Sequence, residues 1–129
     1  MLDDRIYENY ISILQEELVL ATGCTEPIAI AYCAAKMRAL LGRLPDEVSA
    51  TVSGNILKNV KSVVVPNTGG QKGIQPAIAV GIVAGDAEKE LQVIADVTEA
   101  QQPAITAFLQ SVPIHVACGQ SPCLLDIQI

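Results

Sequence analysis

Three short segments of the 129-residue chain hold residues whose types and spacing could do chemistry. The first is A-T-G-C-T-E-P, residues 21–27. Cys24 stands directly before Thr25, the expected N-cap of a helix. A thiolate there would face the partial positive charge of the helix end, while the carboxylate of Glu26 opposes it. Cys24 is therefore a candidate general base or reactive thiol. The competing reading makes it a small apolar residue in a Gly-containing turn between helices.

The second segment is G-N-I-L-K-N-V-K, residues 54–61. Asn55, Lys58 and Asn59 fall at i, i+3 and i+4, which places them together on a helical surface. Amides and an ammonium can hold a carboxylate, and the amide oxygens stay free to accept from an amine. The competing reading is a solvated polar face. The third segment is P-N-T-G-G-Q-K-G, residues 66–73. It lacks the spacing of a phosphate-binding P-loop. Backbone N–H groups of Asn67, Thr68, Gly69 and Gly70 could still form an anion nest, or the glycines could serve only the turn. The two later segments share a setting. The chain carries a formal charge of −6, yet no Asp or Glu occurs between Val48 and Gly85, where Lys58, Lys61 and Lys72 lie. Neutral donors and uncompensated lysines suit a small anion such as a carboxylate.

The elements that must position these residues follow from periodicity and caps. Apolar residues at Ile6, Tyr7, Tyr10, Ile11, Leu14 and Leu18 predict a helix from Asp3 to about Leu20. A second, Ala-rich helix runs from Thr25 to a stop at Gly42, and its alanines imply close packing against a neighbour. E-V-S-A-T-V alternates, predicting a strand over residues 47–52. Ser53 caps a short helix from Gly54 to about Lys61. Residues 62–65 are extended before Pro66, and 67–70 turn. A small-residue helix follows from Lys72 or Gly73 to Gly85, weakened by Gly81. Residues 86–95 predict a further short helix, and Thr98 caps another from Glu99 to about Gln110. V-P-I-H-V-A-C and C-L-L-D-I-Q-I predict a terminal hairpin. The fold class is α+β, with Ala/Gly-rich helices packed on a small mixed or antiparallel sheet. Residues 1–129 form a single domain.

Composition narrows the function. Half the residues are apolar, but the aromatics are only Tyr7, Tyr10, Tyr32 and Phe108, so the core is aliphatic. The acidic balance and scarce aromatics argue against nucleic acid and against an anionic membrane surface as partners. The acidic start M-L-D-D-R lacks the basic region of a signal peptide, and no apolar run reaches the ~20 residues of a membrane span. A cytoplasmic location follows, where Cys24, Cys33, Cys118 and Cys123 remain thiols. Their C-x8-C and C-x4-C spacings are not those of a zinc site, and no metal ligands are assigned. Cys33 reads as core, and Cys118 and Cys123 could meet across the hairpin. His115, the single histidine, is expected at the core edge or in solvent rather than in catalysis.

G-C-T-E-P with its Ala-rich helix, then V-S-G-N-I-L-K-N, then V-P-N-T-G-G-Q-K-G-I, resembles the L-cysteine desulfidase family, related to the α-chain of iron–sulfur L-serine dehydratases. The motifs occur in family order and cover most of residues 14–85. The resemblance implies an iron–sulfur-dependent lyase that eliminates sulfide from L-cysteine, or water from L-serine, to give pyruvate and ammonia. It implies a 4Fe–4S cluster held by three cysteines, with its open iron acting on the leaving group. It makes Cys24 the base, and Asn55, Lys58, Asn59 and the 67–70 turn the grip on the substrate. Family members are much longer, and their cluster cysteines lie in segments that nothing here matches. The expectation is an N-terminal fragment or subunit that needs a C-terminal cluster-binding segment and carries no cluster alone; a homo-oligomer is compatible with it. The alternative is a non-catalytic amino-acid-sensing or interaction domain derived from that family.

Overall fold

Two small-residue helices form the centre of the protein, whose residues 3–129 are described by a computed structural model. The elements in chain order are α1 (Asp4–Glu17), α2 (Thr25–Leu41), β1 (Val48–Val52), α3 (Gly54–Val60), α4 (Ile74–Ala84), α5 (Gln102–Ser111), β2 (Ile114–Cys118) and β3 (Ile127–Gln128). The fold is α+β, with α2, α4 and α5 sharing one core beside a three-stranded mixed sheet.

α2 and α4 pack closely because glycine and alanine meet at their contact. A Cβ on Gly81 would lie 2.2 Å from the carbonyl oxygen of Ala31, and one on Gly85 3.1 Å from the Cβ of Ala35. Only glycine at 81 allows that approach, which outweighs its poor helix propensity. Ile28, Ile30, Ala31, Ala34 and Ala35 of α2 are buried with Ala77 to Ile82 of α4. α5 adds Ile105 and Phe108 to the same core.

β1 is the central strand. It pairs parallel with β2, Val48 opposite Ile114 and Val52 opposite Cys118. It pairs antiparallel with β3, Val52 opposite Ile127. Val48, Ala50 and Val52 face the helices, while Ser49 is exposed, as period-two alternation requires. The expected terminal hairpin is thus corrected: its two arms do not pair with each other, because β1 lies between them. The strand with three buried residues takes the middle place, and the two less buried arms become edges.

Several boundaries follow local chemistry. The Asp3 carboxylate accepts from the Arg5 N–H at 2.8 Å at the start of α1. α1 ends at Glu17 instead of Leu20, and none of its residues is buried. Gly42 takes φ 73° and closes α2. Residues 86–95 do not form the expected α-helix. They form a 3-10 turn, Ala87–Gln92, broken at Glu90, whose φ is 48°. Thr98 and Gln101 make a capping box that leads through a short 3-10 turn into α5. No helix among the described residues is long and apolar enough to cross a membrane.

Candidate functional site

α3 is where the chemistry-bearing segments meet. Ser53 follows β1 directly and caps α3, its hydroxyl oxygen accepting from the Ile56 N–H at 3.5 Å. The helix is only seven residues long, yet it is pinned by buried Ile56 and Val60. This leaves two other faces free, and they look to different places.

One face reaches the Cys24 turn. Asn59 donates from Nδ2 to the Glu26 carboxylate at 2.9 Å. Asn55, one turn earlier on that side of the helix, is half-buried. Gly23, at φ 116°, lies so close to Pro66 that a Cβ would sit 3.2 Å from the ring. The A-T-G-C-T-E-P turn, α3 and the start of the 66–73 segment are therefore in one neighbourhood, although 42 residues of sequence lie between Gly23 and Pro66. Cys24 is the N-cap of α2, exposed and with no side-chain capping bond. N-cap position thus moves from the expected Thr25 to Cys24 itself. Cys24 is thus the residue next to the unpaired first N–H groups of a 17-residue helix, although its thiol bonds to none of them.

The 67–70 turn is held from within. Asn67 has φ 61° and donates from Nδ2 to the Ile94 carbonyl at 2.9 Å. Thr68 is buried, and its hydroxyl donates to the Val65 carbonyl at 2.7 Å. Gly69 and Gly70 take φ 72° and 88°. A Cβ on Gly69 would meet the Gln102 side chain at 3.0 Å. The side chains of Asn67 and Thr68 thus shape the turn, while the Gly69 and Gly70 backbone remains exposed.

The other face of α3 carries the lysines. Gly54, Leu57, Lys58 and Lys61 line a cleft of about 650 Å³ together with Lys72, Gly73, Ile74, Gln75 and Val116. Asn59, Glu26, Cys24 and the 67–70 turn are not among its walls. Asn55, Lys58 and Asn59, grouped by spacing in the sequence, are thus divided: Asn59 turns to Glu26 and Lys58 to Lys61 and Lys72. Sequence spacing alone missed the Glu26–Asn59 contact, whereas the acid-free stretch already groups Lys58, Lys61 and Lys72. The i, i+3, i+4, i+7 run of Gly54, Leu57, Lys58 and Lys61 carried the signal for the second face.

The remaining cysteines do not gather. Cys33 is half-buried, its thiol raised above the ordinary value by burial, and lines an apolar groove with Met37, Leu40, Leu41 and Ile129. Cys118 and Cys123 are exposed free thiols. Among the described residues no three His, Cys, Asp or Glu side chains converge as ligands for a metal ion. This donor set does not fit a 4Fe–4S cluster, which requires three or four thiolates around one centre. His115 is exposed and lies 3.1 Å from the Glu47 carboxylate on the outer face of the sheet.

An α+β domain with a cysteine-capped helix and two polar faces on α3 is the class these features define. The chain is 55% identical over 126 residues to a UPF0597 protein of Desulfitobacterium hafniense, covering 98% of this chain and 29% of that protein. It is 48% identical over 128 residues to a UPF0597 protein of Treponema denticola, covering 99% of this chain and 30% of the relative. A UPF0597 protein of Fusobacterium nucleatum is likewise 48% identical, over 95% of this chain and 29% of its own length. The chain thus spans less than a third of the length of these curated relatives. No family model matches it, and no solved structure does.

Proposed function

We propose that the chain carries the amino-acid-gripping part of a lyase that eliminates sulfide from L-cysteine, or water from L-serine. The observation that supports this most is the meeting of the Cys24 turn with α3 and Pro66, through Asn59–Glu26 and Gly23–Pro66. In this reading the Cys24 thiolate takes the α-proton of the substrate. The electron pair left at the α-carbon forms the α,β double bond as hydrosulfide, or hydroxide, leaves the β-carbon. The resulting enamine tautomerises to an imine, and water hydrolyses it to pyruvate and ammonia. Asn55, Asn59 and the backbone of the 67–70 turn hold the carboxylate and amine. Lys58 lies on the cleft side of α3 and is not assigned to this grip.

A 4Fe–4S cluster is not assigned to residues of this chain, and no step above passes through one. Complete turnover belongs to the longer protein that the relatives' lengths suggest. The reading also places the protein in the cytoplasm, where its four cysteines stay reduced. In a full-length protein carrying this segment, Cys24→Ser is expected to abolish pyruvate and sulfide release while L-cysteine still binds in calorimetric titration. Retention of most of the sulfide release would rule out the base. A second reading is an amino-acid-sensing or interaction domain without chemistry, which would keep the polar groups of Asn55 and Asn59 near the Cys24 turn. It predicts anaerobic binding of L-cysteine with no turnover in the full-length protein.

A further inference from the structure

The lysine cleft on the far side of α3 is not needed by the lyase reading, and its composition asks for a ligand of its own. Lys58 on α3 and Lys61, the residue that closes it, stand three apart, a spacing at which like charges repel. Lys72 faces them from the segment that leads into α4. None of the residues lining the cleft is acidic. The ion pairs among the described residues are Lys36–Glu88, Arg43–Asp46, Lys89–Asp96 and His115–Glu47, and none involves the three cleft lysines. In a chain with 14 acids and eight cations, three cations sharing one cavity without a carboxylate is an uncompensated charge. At separations within one cleft, this repulsion is relieved by an anion placed between the ammonium groups.

The cavity has the size and walls to hold one. Its volume of about 650 Å³ lies in the ordinary range for small-ligand pockets. Leu57 and Val116 supply an apolar part of its wall. At its end α4 begins at Ile74, with Gly73 as an N-cap that offers no side-chain acceptor. The N–H groups of Ile74 and Gln75 have no partner within the helix by position. They add neutral donors to the three charges.

We propose that this cleft binds a small ligand bearing at least two anionic groups, separate from the amino acid held near Cys24. A monocarboxylate would leave two of the three lysines uncompensated, whereas two carboxylates or a phosphate ester would engage them together. The shared chemistry is a compact multiple anion, and its source is open to measurement.

The test uses the 129-residue chain at fixed ionic strength, titrated with succinate, inorganic pyrophosphate and acetate and followed by backbone amide NMR. One of the two multiple anions is expected to bind with 1:1 stoichiometry about tenfold or more tighter than acetate. It should shift the Ile74 and Gln75 amides first. Succinate as the stronger ligand identifies a dicarboxylate, and pyrophosphate a phosphorylated compound. The triple variant Lys58→Gln, Lys61→Gln, Lys72→Gln should lose at least about tenfold in affinity, while Lys36→Gln with Lys89→Gln should not. The cleft lysines are exposed, so circular dichroism should show the triple variant folded. Equal binding of all three anions, shifts spread evenly over lysine-bearing surfaces, or undiminished affinity in the folded triple variant would each overturn the site.

Discussion

Cys24 and Cys33 lie nine residues apart along α2, yet the fold gives their thiols opposite surroundings. Cys24 is exposed at the helix start, whereas Cys33 is half-buried, and burial raises its thiol. A raised value means that the folded state holds this proton at pH values where the unfolded chain has released it. Stability from this group therefore falls as pH rises above the ordinary thiol range, and it is unaffected below that range. The same effect governs reactivity, because the thiolate is the nucleophile. With iodoacetamide near neutral pH, Cys24, Cys118 and Cys123 are expected to alkylate before Cys33, a sequence read directly by mass spectrometry. Modification of Cys33 at the rate of the exposed thiols would contradict the assignment. Its Ala-rich neighbours marked Cys33 as core, but the structure leaves it half-buried beside the groove of Leu40 and Ile129, a difference that local composition does not show. The roles of Asn67 and Thr68 were not legible. Their partners are the carbonyls of Ile94 and Val65, and a backbone acceptor has no signature in side-chain identity.

At the scale of elements, the α2–α4 contact is the most exacting. Gly81→Ala would place a methyl group 2.2 Å from the Ala31 carbonyl oxygen, and backbone cannot rotate away as a side chain can. Overpacking typically costs about 1–3 kcal/mol, with the larger values where the obstacle cannot move, against a gain of about 1 kcal/mol in helix propensity. Steric conflict wins, so Gly81→Ala should lower the urea midpoint markedly, and an unchanged or raised midpoint would refute the contact. Helix starts were largely readable from sequence because caps are local: Asp3, Ser53 and Thr98 each sit where their side chains meet an orphan N–H or complete a capping box. The 3-10 turn at 87–92 was not readable. Its break depends on Glu90 at φ 48°, which no helix-favouring composition announces. α1 has its predicted apolar periodicity, yet Ile6, Tyr7, Tyr10 and Leu14 of that stripe remain exposed, so the pattern shows a face but not what covers it.

For the whole molecule, the decisive non-local choice is that β1 separates the two C-terminal strands. Alternation along residues 112–118 and 123–129 marked both as strands, but partner selection depends on which strand buries most, and β1 buries Val48, Ala50 and Val52. Ser53 joins this arrangement to the candidate site. Its backbone N–H donates to the Asp126 carbonyl at 2.9 Å, and its hydroxyl donates to the Leu124 carbonyl at 2.7 Å. The same hydroxyl oxygen accepts from Ile56 at the start of α3. One buried residue thus ties the end of β1, the cap of α3 and the approach to β3. Ser53→Ala removes both side-chain bonds while keeping the backbone bond to Asp126. Loss of the cap costs about 1–2 kcal/mol, and the Leu124 carbonyl, on an exposed residue, turns to water. Global stability in urea should fall by about that amount. The more discriminating readout is local: amides of residues 124–128 should exchange with deuterium faster relative to those of α2 than in the unmodified chain. A uniform acceleration across the protein would mean that Ser53 serves only the cap. No change in either would show that β3 is held by its pairing with Thr51 and Val52 alone.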